Sequence, residues 1–197
     1  MSLSIILSMS AFALAASISP GPVNLICLSS GTRHSIYEGL VFVTGATLGF
    51  IVLFIAIGLG LYSAMEMIPA LNVLLRWSGV VFLLYLSFKL AAFDGKLPDE
   101  KAPKAPGFLA GAVMQWLNPK AWIASASGIG AYTSGHNIDQ ILLFAALYLP
   151  ICGFSLAGWV FAGAFLRRYI TQPLILRTIN RILAVLLVTS CFYLLAG

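Results

Sequence analysis

Long runs of uncharged, mostly apolar residues divide this sequence and limit what it can fold into. Residues 1–32, 39–65 and 140–166 contain no charged side chain, and about 20 such residues are enough to cross a bilayer as a helix. Charged residues make up only 9% of the chain, whereas a soluble domain carries about 25%. Because lipid solvates apolar side chains on every face of a helix, the sequence predicts an integral membrane protein.

Three further hydrophobic runs complete the set, at residues 68–93, 107–134 and 179–196. None of the six alternates with the period of two that is typical of membrane β-strands. The sequence therefore predicts an all-α integral membrane protein with six transmembrane helices. The eleven Lys and Arg residues lie mainly between these runs rather than on one basic face, so nucleic acid is not an expected partner.

An internal repeat divides the six predicted helices into two halves. Each half has the order of a proline-broken helix, a glycine-rich helix and a helix that begins near an arginine. A shift of 105 positions pairs Gly58 with Gly163 and Arg76 with Arg181. Because each half has three spans, the second half must insert upside down, as in many secondary transporters. The predicted division is a first repeat at 1–93, a cytoplasmic connector at 94–106 and a second repeat at 107–197.

The distribution of positive charge predicts the orientation. If the amino terminus is periplasmic, nine Lys and Arg residues fall on the cytoplasmic side and only Arg76 on the other. Cytoplasmic loops of membrane proteins carry such an excess. Both termini are therefore predicted to be periplasmic, in a bacterial inner-membrane protein. The nine residues are Arg33, Lys89, Lys96, Lys101, Lys104, Arg167, Arg168, Arg177 and Arg181.

Two of the predicted spans are interrupted by proline. Pro20, Gly21 and Pro22 break the first, and a proline frees the carbonyl group four residues earlier. Freed groups must be buried in protein or line a wet cavity, and the N–H groups of the next half-helix could hold a carboxylate. A structural kink without a ligand explains this break equally well. Asn118 and Pro119 break the fourth span at the equivalent place, and such paired breaks indicate a transport site.

Lys120 is the charge that lies deepest within a predicted span. A lone ammonium there costs several kcal/mol, and no Asp or Glu lies within any of the six runs. A substrate carboxylate could supply the missing counter-ion. The alternative is that the side chain extends to a membrane interface, if the fourth helix is shallower. The predicted substrate-binding residues are Pro20, Gly21, Pro22, Asn24, Gln115, Asn118, Pro119, Lys120 and Trp122.

Other residues suggest structural roles. The cysteines Cys27, Cys152 and Cys191 lack the spacing of a metal or disulfide site and are predicted to be buried thiols. His34 could relay protons, although a plain loop histidine is the favoured interpretation. Glycine pairs are predicted to allow close helix packing, and the tryptophans fit either an interfacial belt or cavity walls. These pairs are Gly45 with Gly49 and Gly153 with Gly158, and the tryptophans are Trp77, Trp116, Trp122 and Trp159.

The two interrupted segments, ISPGPVNLICLSSGTRHSIYEGL and QWLNPKAW, resemble the lysine exporter (LysE/RhtB) superfamily of bacterial efflux proteins. The resemblance covers the whole chain, and the first segment is most similar to the branch that exports cysteine and O-acetylserine. It implies efflux of an amino acid or a close relative across the inner membrane, driven by proton exchange.

The leading hypothesis is a secondary exporter that works by alternating access, with no cofactor and no metal. Its expected partners are a small amino-acid substrate, a coupling proton and the lipid bilayer, and self-association is left open. A membrane channel or a non-catalytic membrane subunit is the alternative. An enzyme is not expected, because the sequence has no HExxH motif, no paired carboxylates within the spans and no Ser/His/Asp set.

Overall fold

The computed structural model describes residues 2–61, 73, 77, 78, 80, 81, 84, 85, 87, 88, 90–92, 105–134, 137–169 and 173–196, except for the side chains of 168, 169, 173, 176 and 190–196. Within these residues the regular structure is entirely α-helical. Seven helices have defined bounds: α1 Leu3–Ile18, α2 Pro22–Arg33, α3 Ile36–Gly58, α4 Phe108–Trp116, α5 Pro119–Tyr132, α6 Ile138–Tyr169 and α7 Pro173–Ala196. Every described position between 73 and 91 is also helical.

Two helices are long and apolar enough to cross a membrane by themselves, namely α3 and the part of α6 from Ile138 to Arg167. Helices α1 and α2 also qualify when taken together, although they meet at a bend of 60°. The helical, membrane-compatible fold is therefore confirmed, and the first span is broken where the prolines predict. The six-span count and the inversion of the halves stay predictions, because Arg76, Lys89 and most of the connector lie outside the described residues.

Glycines bring two pairs of helices into backbone contact. A Cβ atom added to Gly45 of α3 would lie 1.9 Å from the carbonyl oxygen of Phe108 in α4, and one added to Gly49 would lie 2.6 Å from the Cα atom of Ala112. Helices α2 and α6 approach each other equally closely at Gly163, where an added Cβ would lie 2.1 Å from the carbonyl oxygen of Leu28. These contacts fix the positions of α2 and α4, which flank the two breaks.

The predicted packing role holds for Gly45 and Gly49 but is wrong for the other pair. Nothing lies within 4 Å of a Cβ added to Gly158, and the nearest atom to one added to Gly153 is 3.7 Å away. Helix α6 instead uses Gly163 for its close contact. Gly163 is five positions after Gly158, and at 3.6 residues per turn the two glycines face directions about 140° apart.

An aromatic cluster fills the centre between α3 and α6. The ring centroids of Phe50 and Tyr148 are 4.6 Å apart, and those of Phe54 and Phe144 are 5.1 Å apart. Tyr148, Phe54 and Phe144 are almost completely buried. Cys152, one turn beyond Tyr148, is a buried free thiol as predicted, and so is Cys27. The side chain of Cys191 lies outside the described residues.

The turn between α2 and α3 is tied to the end of α6. Ser35 and Glu38 form a capping box, in which the Ser35 hydroxyl accepts from the Glu38 N–H and a Glu38 carboxylate oxygen accepts from the Ser35 N–H. The Nη1 of Arg167 donates a hydrogen bond of 3.2 Å to the carbonyl oxygen of His34. This turn therefore has a fixed geometry at one end of the bundle.

Candidate functional site

The first break is built by its two prolines. Pro20 and Pro22 have no N–H, so the carbonyl oxygens of Ala16 and Ile18 lose their helical donors. The Ser19 hydroxyl donates to the Ala16 oxygen at 3.2 Å, and the indole Nε1 of Trp159 donates to the Ile18 oxygen at 3.2 Å. Both carbonyls that the sequence predicts to be freed are thus satisfied by side chains.

Two further carbonyls at this break accept from polar side chains. The amide Nδ2 of Asn24 donates to the Ser17 oxygen at 2.8 Å. The ammonium Nζ of Lys120 donates to the carbonyl oxygen of Ser19. A helix carries partial negative charge at its carboxyl end, so a cation is favoured there. Lys120 comes from the second break, and this hydrogen bond therefore joins the two interruptions.

The second break lies between α4 and α5. The Asn118 side-chain oxygen accepts from the backbone N–H of Lys120 at 3.2 Å and so caps α5. Its Nδ2 donates to the Oε1 of Gln115 at 3.2 Å. The carbonyl oxygen of Gln115 has no helical donor, because Pro119, four residues later, lacks an N–H. This oxygen instead accepts from the N–H of Asn118 at 3.2 Å. Trp122 donates its Nε1 to the Trp116 oxygen at 2.7 Å, which satisfies another carbonyl of α4.

A cavity of about 700 Å³ lies beside the two breaks. Its polar end is formed by Pro20, Gly21, Asn118 and Lys120, and the rest of its wall is largely apolar. The remaining lining residues are Phe12, Ala16, Pro22, Leu25, Pro119, Ile123, Ala124, Ser127, Leu186 and Thr189. Helices α1, α2, α5 and α7 therefore share this cavity.

A smaller cavity of about 30 Å³ also borders Lys120. Its polar lining comes from Ser17, Asn24, Gln115, Asn118 and Lys120, and the side chains of Tyr148 and Cys152 also reach it. This volume is enough for one water molecule, and the lining supplies the several polar partners that such a water requires. A cluster of polar side chains therefore lies around Lys120, although apolar residues complete the lining.

Lys120 is the one charged residue among the described residues that line the two cavities. It is part-buried, and its ammonium is directed to the break between α1 and α2. In this part of the structure, its ammonium therefore meets a carbonyl oxygen and no carboxylate. Such a cation makes the polar end of the larger cavity attractive to an anion.

His34 lies apart from both cavities, at the end of α2. Burial lowers the pKa of His34 below its ordinary value, and the positive charge of Arg33 lowers it further. Its position away from both cavities supports the interpretation as a loop histidine over that of a proton relay.

Eight of the nine predicted site residues line one or both cavities. The exception is Trp122, whose ring packs edge-on against Trp116 at a centroid distance of 6.3 Å. Trp122 lies two positions after Lys120 in α5, and at 3.6 residues per turn this spacing rotates the side chain by about 200° around the helix axis. Trp122 therefore faces away from the cavity that Lys120 enters. Ser17, Tyr148 and Cys152 line the smaller cavity and were not among the predicted site residues. Their only signal in the sequence is that Tyr148 and Cys152 flank Pro150.

The LysE type translocator family matches residues 14–197, which include both breaks and nearly all of the cavity lining. The chain belongs to the LysE family. It is 30% identical over 186 residues to the cysteine/O-acetylserine efflux proteins of Salmonella paratyphi A and Salmonella typhimurium, and 28% identical over 180 residues to that of Escherichia coli strain K12. Each match covers 90% of this chain and 90% of the relative.

Membership of the LysE family confirms the resemblance carried by the two interrupted segments. No solved structure matches this LysE-family chain. Within the described residues, no group of three or more His, Cys, Asp and Glu side chains is arranged to hold a metal ion.

Proposed function

We propose that this LysE-family chain exports a small amino acid or a close derivative, such as cysteine or O-acetylserine, across the bacterial inner membrane. The observation that carries the proposal is the hydrogen bond from Lys120 to the Ser19 carbonyl, which joins two broken helices beside a cavity. Its support comes also from the relatives, which are named as cysteine/O-acetylserine efflux proteins. Paired breaks of this kind are typical of transporter sites.

The substrate carboxylate binds at Lys120 and at the start of α2. The first hydrogen bond of α2 runs from the N–H of Leu25 to the carbonyl of Gly21, so the N–H groups of Val23 and Asn24 precede it. No side chain caps this turn. The positive end of a helix favours an anion, and Lys120 adds a full charge at the same place.

Alternating access follows from the position of the site between the two predicted halves. One half contributes Pro20, Gly21, Pro22 and Asn24, and the other contributes Gln115, Asn118, Pro119 and Lys120. Rocking of one half against the other opens the site to each side in turn. Inward movement of protons drives export, and Lys120 or the substrate amine carries the proton, because no carboxylate among the described residues lines the cavities.

Transport assays with purified protein in liposomes test this function. We expect labelled L-cysteine or O-acetyl-L-serine to exchange against internal unlabelled substrate in a saturable manner. Cells that overproduce the chain should resist inhibitory concentrations of the same compound and should hold smaller internal pools of it. An ohmic current without saturable exchange would favour the channel alternative, and the absence of both would favour a non-transporting subunit.

The predicted orientation has a separate test with reporter fusions. A fusion at Lys101, in the connector, should be inactive with alkaline phosphatase and active with a cytoplasmic reporter, because that segment contains three lysines and cytoplasmic loops are rich in Lys and Arg. A fusion at Gly197 should show the opposite pattern. Alkaline phosphatase activity at Lys101 would overturn the orientation without affecting the helical fold.

A further inference from the structure

The carbonyl groups at the end of α1 differ in the type of donor from which they accept a hydrogen bond. The Ala15 oxygen accepts from the backbone N–H of Ser19, and the Ala16 oxygen accepts from the Ser19 hydroxyl. The Ser17 and Ile18 oxygens accept from neutral side chains, those of Asn24 and Trp159. The Ser19 oxygen alone in this set is held by a cation on a long, flexible side chain.

From this difference we propose that the Ser19 carbonyl is the binding subsite for the ammonium group of the substrate. The ammonium of Lys120 donates to this oxygen in the structure and so marks the position of the subsite. The inference rests on the proposed function and extends it, because the proposal so far gives a place only to the carboxylate. The ligand class is a primary ammonium that is joined through one carbon atom to a carboxylate.

An α-amino acid can replace Lys120 without changing the charge at the subsite. Its carboxylate attracts the ammonium of Lys120 away from the Ser19 oxygen, and its own ammonium then donates to that oxygen. The carboxyl end of α1 is thus next to a cation in both states. Both substrate groups are needed, because an amine alone competes with Lys120 and a carboxylate alone leaves the Ser19 carbonyl without a donor.

The local geometry allows this exchange. Gly21 has no side chain, and a Cβ atom there would lie 3.0 Å from the Cδ of Lys120 and 3.3 Å from its Nζ. The lysine therefore reaches the Ser19 oxygen over a glycine. Gly21 and Lys120 also line the cavity of about 700 Å³, which provides space for a small amino acid beside them. The Ser17 and Ile18 carbonyls offer no equivalent site, because their donors are neutral groups, the amide of Asn24 and the indole of Trp159, with which a cation does not exchange at constant charge.

Ligand fragments distinguish this subsite from general recognition of a zwitterion. The full chain is purified in detergent and titrated with three ligands in the presence of a reducing agent. The ligands are L-cysteine, cysteamine and 3-mercaptopropionate. Cysteamine lacks the carboxylate of L-cysteine, and 3-mercaptopropionate lacks its ammonium. Dissociation constants come from the rise of the unfolding midpoint with ligand concentration. In the native protein, we expect each fragment to bind about tenfold or more weakly than L-cysteine.

The Lys120→Met variant should move the two fragments in opposite directions. Cysteamine should bind about tenfold more tightly, because its competitor at the Ser19 carbonyl is gone, and 3-mercaptopropionate about tenfold more weakly, because its cation is gone. A general structural defect would weaken both. Lys120→Leu, which also lacks a donor, gives a second variant of the same kind, and Lys101→Met, which removes a lysine from the connector, should change neither constant.

Cysteamine that binds Lys120→Met no more tightly than the native protein overturns the subsite, and so does 3-mercaptopropionate that binds the native protein as tightly as L-cysteine. In either case, saturable exchange of L-cysteine in liposomes leaves the proposed function standing. If neither L-cysteine nor O-acetyl-L-serine binds or exchanges, the proposed function fails and the subsite fails with it.

Discussion

Replacing Lys120 with alanine is expected to reduce efflux at low substrate concentration by about 10- to 100-fold, because a hydrogen bond to a charged group contributes about 1.5–3 kcal/mol. Lys120 is the one charged residue among the described residues that line the cavities. The variant therefore removes the group that we propose as the partner of the substrate carboxylate. The measurement is the initial rate of substrate exchange in liposomes that contain equal amounts of protein.

Controls separate this loss from a folding defect. The variant also leaves the part-buried Ser19 carbonyl without its donor. An unsatisfied acceptor costs up to about 1–3 kcal/mol when it is fully buried, so the unfolding midpoint must be measured in parallel. Lys101→Ala removes the same charge from the connector and should keep native exchange rates. Full efflux by a correctly inserted Lys120→Ala protein would exclude the proposed carboxylate site.

Replacing Gly45 with alanine is expected to destabilise the fold by about 1–3 kcal/mol or more, as overpacking of a close contact does. The added Cβ would lie 1.9 Å from the carbonyl oxygen of Phe108, and this oxygen belongs to the backbone and cannot move independently of α4. Helices α3 and α4 must then separate, and α4 leads directly into the second break. The measurement is the apparent unfolding midpoint in detergent at a fixed heating rate.

Gly158→Ala provides the matched control in α6. Nothing lies within 4 Å of the added Cβ, and alanine is favoured over glycine within a helix by up to about 1 kcal/mol. Its midpoint should therefore equal or exceed that of the native protein. Equal midpoints for Gly45→Ala and the native protein would show that the contact between α3 and α4 is looser than described.

The helix breaks were predictable because their cause is local. Pro20 and Pro22 lack an N–H wherever they occur, and this alone identifies the Ala16 and Ile18 carbonyls as needing new donors. The sequence could not name those donors. Trp159 reaches Ile18 from 141 positions away along the chain, and Lys120 reaches Ser19 from 101 positions away.

The errors have a common origin in the orientation of side chains around a helix. Trp122 lies two residues from Lys120 and faces a different direction, so closeness in sequence to the second break did not place it in a cavity. Gly158 has open space where Gly163 has a backbone neighbour. Composition does not distinguish such positions, because small and aromatic residues occur on every face of a helix that is surrounded by lipid or protein.

By itself, the sequence determined a helical membrane protein with two breaks and one cation near the second, because hydropathy and the missing proline N–H act within a single segment. Only the tertiary structure decided that Lys120 donates to Ser19 and that Tyr148 and Cys152 border the same polar interior. These contacts depend on how α1, α2, α5 and α6 pack against one another. The packing is determined by close contacts between helices of complementary shape, such as that at Gly163. Shape complementarity between distant segments has no periodicity along the chain.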